Sequence, residues 1–228
     1  QNYSYLFKKS FKNEHQIGLG IISKSQDNSK KIFNSLAFFD NNLKLLHSYE
    51  KINLVPFGEF LPFENILKRF GLKTLTNNYK SFSSGENKDV LNLNIHDSYF
   101  KILPLICYEI IYPERIQKIQ NYDYIINISE DGWFGKSIGP KQHFAHSIFR
   151  AIENGKYIIR SSNNGMSAII NPIGIVEKKI GYGQNGYIDF NETKITKPTL
   201  FSKYGNKIFG SIILLYIFLI FSFNRFKK

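Results

Sequence analysis

From Ile208 to Phe223 sixteen consecutive residues (IFGSIILLYIFLIFSF) carry no charge, and such a run has few places to go in a folded chain. As a helix it is about 24 Å long, from a rise of about 1.5 Å per residue. That is slightly short of a bilayer's hydrocarbon core of roughly 30 Å, a gap that snorkelling flanks can close. A buried core helix is the alternative, but no polar face interrupts the run, and Asn224-Arg225-Phe226-Lys227-Lys228 follows it. The expectation is a transmembrane helix over 208–223, preceded by a linker over 191–207 and followed by a basic tail over 224–228.

The same region holds most of the charge. The 228 residues carry 30 Lys+Arg against 18 Asp+Glu, a net charge of +12. Lys194, Lys197, Lys203, Lys207, Arg225, Lys227 and Lys228 lie there with no acid between positions 194 and 228. Nucleic-acid binding, the first suggestion of a basic chain, loses its support because the excess has a membrane explanation. At 43% hydrophobic and 21% charged residues the chain can bury a sizeable core and is no disordered polyelectrolyte. Its length fits one domain with an appendage. A single cysteine excludes an internal disulfide framework and multi-cysteine metal sites. The sequence opens at Gln1 without an initiator Met or a signal peptide, and reads as the downstream part of something longer.

Between residues 17 and 190 short β-rich runs alternate with turn signals. Ile17–Ile22 and Ser35–Phe39 read as strands, with a hairpin turn at Asp40-Asn41-Asn42 before Leu43–Leu46. Tyr99–Ile106 reads as a buried strand that delivers Cys107 at its end. Tyr124–Ile128 is another, followed at once by the loop Ser129–Gly135. Pro140 then opens a helix with Phe144, Ile148 and Ile152 every fourth residue, and Gly155 is its stop. Tyr157–Arg160 and Ala168–Ile170 resume strands, so the pattern is α/β rather than a barrel. Phe60–Leu75 spaces Phe63, Ile66, Leu67 and Phe70 helically among Lys68, Arg69 and Lys73; it reads as a packed helix or as a segment dipping an aromatic face into lipid.

Three stretches place reactive groups beside backbone-shaping residues: Lys51-Ile52-Asn53-Leu54-Val55-Pro56-Phe57-Gly58-Glu59, then Ile106-Cys107-Tyr108-Glu109, then Asp131-Gly132-Trp133-Phe134-Gly135-Lys136-Ser137-Ile138-Gly139-Pro140-Lys141-Gln142-His143. A cysteine on a tight turn after a buried strand can attack a carbonyl while backbone N–H groups hold the oxyanion. In order and spacing, with Arg160-Ser161-Ser162-Asn163-Asn164-Gly165 after them, these blocks resemble the nitrilase superfamily and, within it, the apolipoprotein N-acyltransferases. The resemblance covers residues 17 to 190. It implies a nitrilase-like α-β-β-α sandwich, here within a catalytic domain over 1–190, and the apolar tail agrees with that family's last membrane helix.

The resemblance also implies roles. Cys107 is the acyl-carrying nucleophile, and Lys51 places an ammonium near the thiolate and the developing oxyanion. Glu59 and Glu109 are supporting carboxylates. Tyr108 follows the nucleophile, and Trp133 and Phe134 resemble an aromatic wall lining the acyl pocket. A fatty acyl group would pass from a membrane phospholipid to Cys107, then to the α-amine of a diacylglyceryl apolipoprotein, with no metal or organic cofactor. The implied location is the bacterial inner membrane with the domain on the periplasmic side. His143 and His146 are spaced i, i+3 but lack a third ligand, so no metal site is expected.

Two departures stand out. Glu130-Asp131-Gly132 replaces an N-D-A-like stretch, and the family's upstream W-P-E type motif, which carries the general base, is missing. Glu14 is a poor substitute by position. The chain alone is therefore expected to be catalytically dead, and its parent active. The competing readings are a soluble carbon-nitrogen hydrolase and an inactive membrane-anchored scaffold on the same fold.

Overall fold

The computed structural model describes residues 4–25, 27, 30–63, 66, 69, 81–86, 90–95, 98–113, 116, 119, 121–191 and 196–226. After helix α1 (Ser4–Ser10) come β1 (Ile17–Lys24), β2 (Ile32–Phe39) and β3 (Leu45–Glu50), an antiparallel sheet in the order β1-β2-β3. The expected hairpin turn lies between β2 and β3. Asp40 Oδ1 accepts from the N–H groups of Asn42 and Lys44, both at 2.8 Å, which leaves Leu43 at φ +62°.

The second sheet has six strands in sequence order: β4 (Leu91–Ile95), β5 (Ser98–Ile106), β6 (Tyr124–Glu130), β7 (Tyr157–Asn163), β8 (Ser167–Ile170) and β9 (Val176–Ile180). β5, β6 and β7 run parallel, and the outer pairings are antiparallel. The two faces follow the two-residue alternation of a strand. Leu103 and Leu105 of β5, Ile125 and Ile158 pack against Phe144 and Ala151 of helix α2 (Gly139–Asn154). Ile102 and Ile106 of β5 and Tyr124 face the small sheet, meeting Leu36, Phe38 and Tyr49. The described residues thus stack a helix, a sheet and a sheet, three layers in the order expected of the sandwich.

Helix α2 begins and ends at the residues its sequence suggests, with Pro140 in its first turn and Gly155 closing it at φ +63°. Its buried face differs from the expected one. Phe144 is buried, but Ile152 is 45% exposed, and the face runs instead through His143, Ser147, Ala151 and Asn154. Four residues advance about 40° beyond a full turn of 3.6 residues, so a strict period of four drifts off the contact stripe.

Chain-terminal helices are α3 (Leu200–Tyr204), capped by Thr199, and α4 (Lys207–Phe226). The apolar run is helical, and each large apolar side chain from Phe209 to Phe223 is at least 41% exposed. Among the described residues, however, no helix is long and apolar enough to cross a membrane, so the expected transmembrane helix over 208–223 is not supported. The reason is length: Lys207 and Asn224 bound the run, leaving about 24 Å of apolar helix against a hydrocarbon core of roughly 30 Å. The Phe60–Leu75 segment lies largely outside the described residues; of its apolar face, Phe63 and Ile66 are described, 80% and 58% exposed.

Candidate active site

The carboxyl ends of β5, β6 and β7 lie side by side, with Ile106 opposite Ile128 and Glu130 opposite Asn163. In open sheets with parallel strands this is where ligands and reacting groups gather. Cys107 sits just past the end of β5, at the start of a short 3-10 helix (Cys107–Ile111), with φ +51°. A left-handed residue with a Cβ costs roughly 1–2 kcal/mol, and such strain persists where surroundings over-determine it. Here they do. The Leu105 carbonyl accepts from Asn127 Nδ2 at 3.1 Å, the Ile106 N–H donates to Glu109 Oε2 at 2.9 Å, and the Cys107 carbonyl lies 3.1 Å from His143 Nε2. Three consecutive backbone groups are held from three directions, and the thiol side chain stays partly exposed.

Glu109, two residues after Cys107 and 2% exposed, fastens this turn to the segment that carries Lys51. Its Oε1 accepts from the N–H groups of Ile52 and Asn53 at 3.0 Å each, and the Tyr49 hydroxyl lies 3.0 and 3.1 Å from its two oxygens. One carboxylate therefore joins the end of β5 to the end of β3, and residues 51–53 and 106–107 share one neighbourhood. Burial pushes the Glu109 carboxyl above its ordinary range, opposed by the N–H groups of Ile106 and Asn53 and by the charge of Lys51.

Lys51 is 1% exposed. Its Nζ donates to Glu59 Oε2 at 2.7 Å, and Glu59 also accepts from the Val55 N–H and Asn34 Nδ2, both at 2.8 Å. The loop between Val55 and Phe60 folds back on itself to present Glu59, with Glu59 N–H donating to the Val55 carbonyl at 2.8 Å and Phe57 at φ +62°. Glu59 and Glu109 are both spoken for by donors in this way, so their oxygens orient Lys51 and the Cys107 turn.

The expected aromatic wall divides. Trp133 and Phe134 lie in a 3-10 helix (Asp131–Phe134) that follows β6. Trp133 is 64% exposed, so it is not core. Phe134 packs on the His143 ring, centroids 5.5 Å apart, and closely covers Gly139. Tyr108 stands edge-on to Tyr112, centroids 5.4 Å apart.

Sequence reasoning missed the cluster behind Cys107. Asp131, His143 and Arg160, all at most 3% exposed, come together from the end of β6, from α2 and from β7. Asp131 Oδ1 lies 2.8 Å from His143 Nδ1 and accepts from Ser129 Oγ at 2.7 Å; Asp131 Oδ2 accepts from Arg160 Nη2 at 2.8 Å. Arg160 also donates to Asn127 Oδ1 and to the Met166 carbonyl. Burial alone would raise the Asp131 carboxyl, but the His143 hydrogen bond, the Arg160 charge and the Ser129 hydroxyl hold it well below the usual carboxylate range. The available signal was an arginine in an otherwise apolar strand, Tyr157-Ile158-Ile159-Arg160, which cannot be buried without a partner. Among the described residues no group of three or more His, Cys, Asp or Glu is arranged to hold a metal ion.

A partly exposed cysteine on a left-handed turn at the carboxyl end of a parallel strand is tied through Glu109 to the backbone beside a buried lysine, and the chain belongs to the carbon-nitrogen hydrolase family, whose model matches residues 9–190. More particularly, it is 41% identical over 186 residues to an apolipoprotein N-acyltransferase of Rickettsia prowazekii, covering 81% of this chain and 36% of that protein. A second, from Rhodopseudomonas palustris, is 36% identical over 191 residues, covering 83% of this chain and 35% of its own. The chain therefore spans about a third of the length of these curated relatives. Among solved structures, the carbon-nitrogen hydrolase from Helicobacter pylori G27 superposes with a TM-score of 0.57 at 14% identity, covering 80% of this chain and 62% of that one, a likeness of fold.

Proposed function

We propose that this chain carries the nucleophile and lysine of an apolipoprotein N-acyltransferase. The observation that carries the reading is the Glu109 carboxylate, which fastens the Cys107 turn to the Lys51 segment. Two relatives with that name across more than 80% of the chain support it.

In the first half-reaction the Cys107 thiolate adds to an ester carbonyl of a phospholipid. The new C–S bond turns the carbonyl oxygen into an oxyanion, which the Lys51 ammonium and nearby backbone N–H groups stabilise. Collapse expels the glycerol oxygen, which takes the proton that the general base removed from the thiol and leaves as lysophospholipid. In the second, the α-amine of a diacylglyceryl apolipoprotein adds to the thioester, and the C–S bond breaks. An amide remains, and the amine's proton passes through the general base to restore the thiol. Glu59 and Glu109 are engaged by donors and are not that base; the resemblance places it in the upstream W-P-E type motif.

Both substrates are lipid-borne. The uncovered apolar side chains of α4 support seating this helix in a bilayer, with Lys203 and Lys207 at one end and Arg225 at the other. The bacterial inner membrane, with the catalytic domain on the periplasmic side, fits such substrates.

The test is mass spectrometry of the full-length parent after incubation with phospholipid. A hydroxylamine-labile acyl adduct on Cys107, lost in Cys107→Ala and discharged by a diacylglyceryl peptide, is the expected result. Turnover of small amides without such an adduct would show a hydrolase instead.

A further inference from the structure

We infer that His143 is a positioning residue for Cys107, donating from Nε2 to the Cys107 carbonyl while Nδ1 is held at Asp131, and so locking the nucleophile's left-handed turn onto the buried Asp131–Arg160 pair. The inference rests on Cys107 being the nucleophile of the acyl transfer proposed above.

The first support is donor accounting. His143 Nε2 faces the Cys107 carbonyl oxygen at 3.1 Å, and a carbonyl only accepts. His143 Nδ1 faces Asp131 Oδ1 at 2.8 Å, a carboxylate held ionised by Arg160, Ser129 and the ring itself. Nε2 therefore carries the hydrogen given to the carbonyl, while Nδ1 is pinned against the buried Asp131–Arg160 pair. Arg160 Nη2 also lies 3.3 Å from Nδ1. Arg160 Nη2 donates to Asp131 Oδ2 at 2.8 Å, so the carboxylate sits between the guanidinium and the ring, and the ring reaches Cys107.

The second support is topology. Starting at the Leu105 carbonyl, hydrogen bonds run through Asn127, Arg160, Asp131 and His143 and return to the Cys107 carbonyl, two residues from the start. The circuit draws on β6, β7 and α2 and closes on the residue with φ +51°. None of its side chains is more than 3% exposed. A histidine that merely filled space beside Phe134 would need neither bond.

Two substitutions separate the two bonds. In the His143→Gln variant the side-chain amide reaches the Nε2 position and keeps the tie to Cys107; in His143→Asn it reaches only the Nδ1 position and keeps the tie to Asp131. Both are made in the full-length parent, with thermal melting, kcat and KM for acyl transfer, and the rate of Cys107 alkylation by iodoacetamide as readouts. For His143→Asn, kcat should fall about 100-fold, the scale of a 1 Å misplacement at a reacting atom, with KM within about twofold. Alkylation should slow, with melting near wild type, and His143→Gln should recover most of the loss in both rates. Equal losses in the two variants at equal stability, or wild-type kinetics in both, would overturn the inference. Should His143→Asn fail to fold, His143→Gln decides alone: rates near wild type support the carbonyl tie, and a 100-fold loss at unchanged stability refutes it. If alkylation separates the variants while no form of the enzyme transfers acyl groups, the acyltransferase reading fails and the positioning role stands.

Discussion

At the scale of single residues, Asp131 is the most exacting position in the molecule. It is fully buried, and its carboxyl is held well below the usual carboxylate range by His143, Arg160 and Ser129 against the opposing effect of burial. A carboxylate whose folded pKa lies below its unfolded one contributes stability above the unfolded value and loses it as pH falls through the folded one. Asp131 therefore contributes in full near neutrality, and its share declines as the pH drops below about 4. Urea unfolding of wild type and Asp131→Asn at pH 7 and at pH 3.5 checks this: the gap between them should be wide at pH 7 and narrower at pH 3.5. Gly165 reports on the same carboxylate. A Cβ there would run into Asp131 Oδ2 and Ser162 Oγ, so Gly165→Ala must displace the ion pair. A loss of about 1–3 kcal/mol, the usual cost of overpacking, is expected by thermal or chemical denaturation, with a larger loss of activity because Asp131 supports the Cys107 turn through His143.

Among the elements, the loop between Val55 and Phe60 exists to bring one carboxylate to one ammonium. Removing a partner from a buried pair leaves an uncompensated charge, which costs roughly 3–5 kcal/mol. Glu59 is 12% exposed against 1% for Lys51, so Glu59→Ala belongs at the lower end of that range. Glu59→Gln keeps an oxygen for Lys51 Nζ and should lose less, a ranking that denaturation of the two variants tests directly. These elements also show what the sequence disclosed. The strands that end at Cys107 and Asp131 were legible because each is a short apolar run that stops at a polar turn. Helix α2 was legible because Pro140 and Gly155 mark its ends. Lys51, Glu59, Cys107 and Glu109 were legible as members of motif blocks, but the task of Glu109 was not. Its partners Tyr49, Ile52, Asn53 and Ile106 are mostly backbone groups up to 60 positions away, and backbone groups leave no mark in composition. The Asp131–His143–Arg160 cluster was less legible for a related reason: Arg160 signalled a buried partner, but its partners come from other elements, the end of β6 and α2, that only the fold brings beside β7.

For the whole molecule the open question is what covers α4. Its apolar side chains, from Phe209 at 65% exposed to Phe223 at 66%, meet little of the domain, and water is a poor solvent for so much apolar surface. The proposed seat in lipid has two separable parts. Lys203, Lys207 and Arg225 supply an electrostatic attraction to anionic headgroups, which salt screens as the Debye length shrinks to about 3 Å at 1 M. The apolar surface supplies a part that salt does not weaken. Flotation of the 228-residue chain with vesicles containing an anionic phospholipid distinguishes them: the chain should float at low salt and still float at 1 M. In a Leu214→Arg, Phe218→Arg double variant each arginine adds a penalty of about 2.5–3.5 kcal/mol at apolar depth. That variant should float weakly at low salt, held by charge alone, and not at all at 1 M. If wild type and variant float equally at both salt concentrations, α4 is not the anchor, and attachment must come from another surface of the domain.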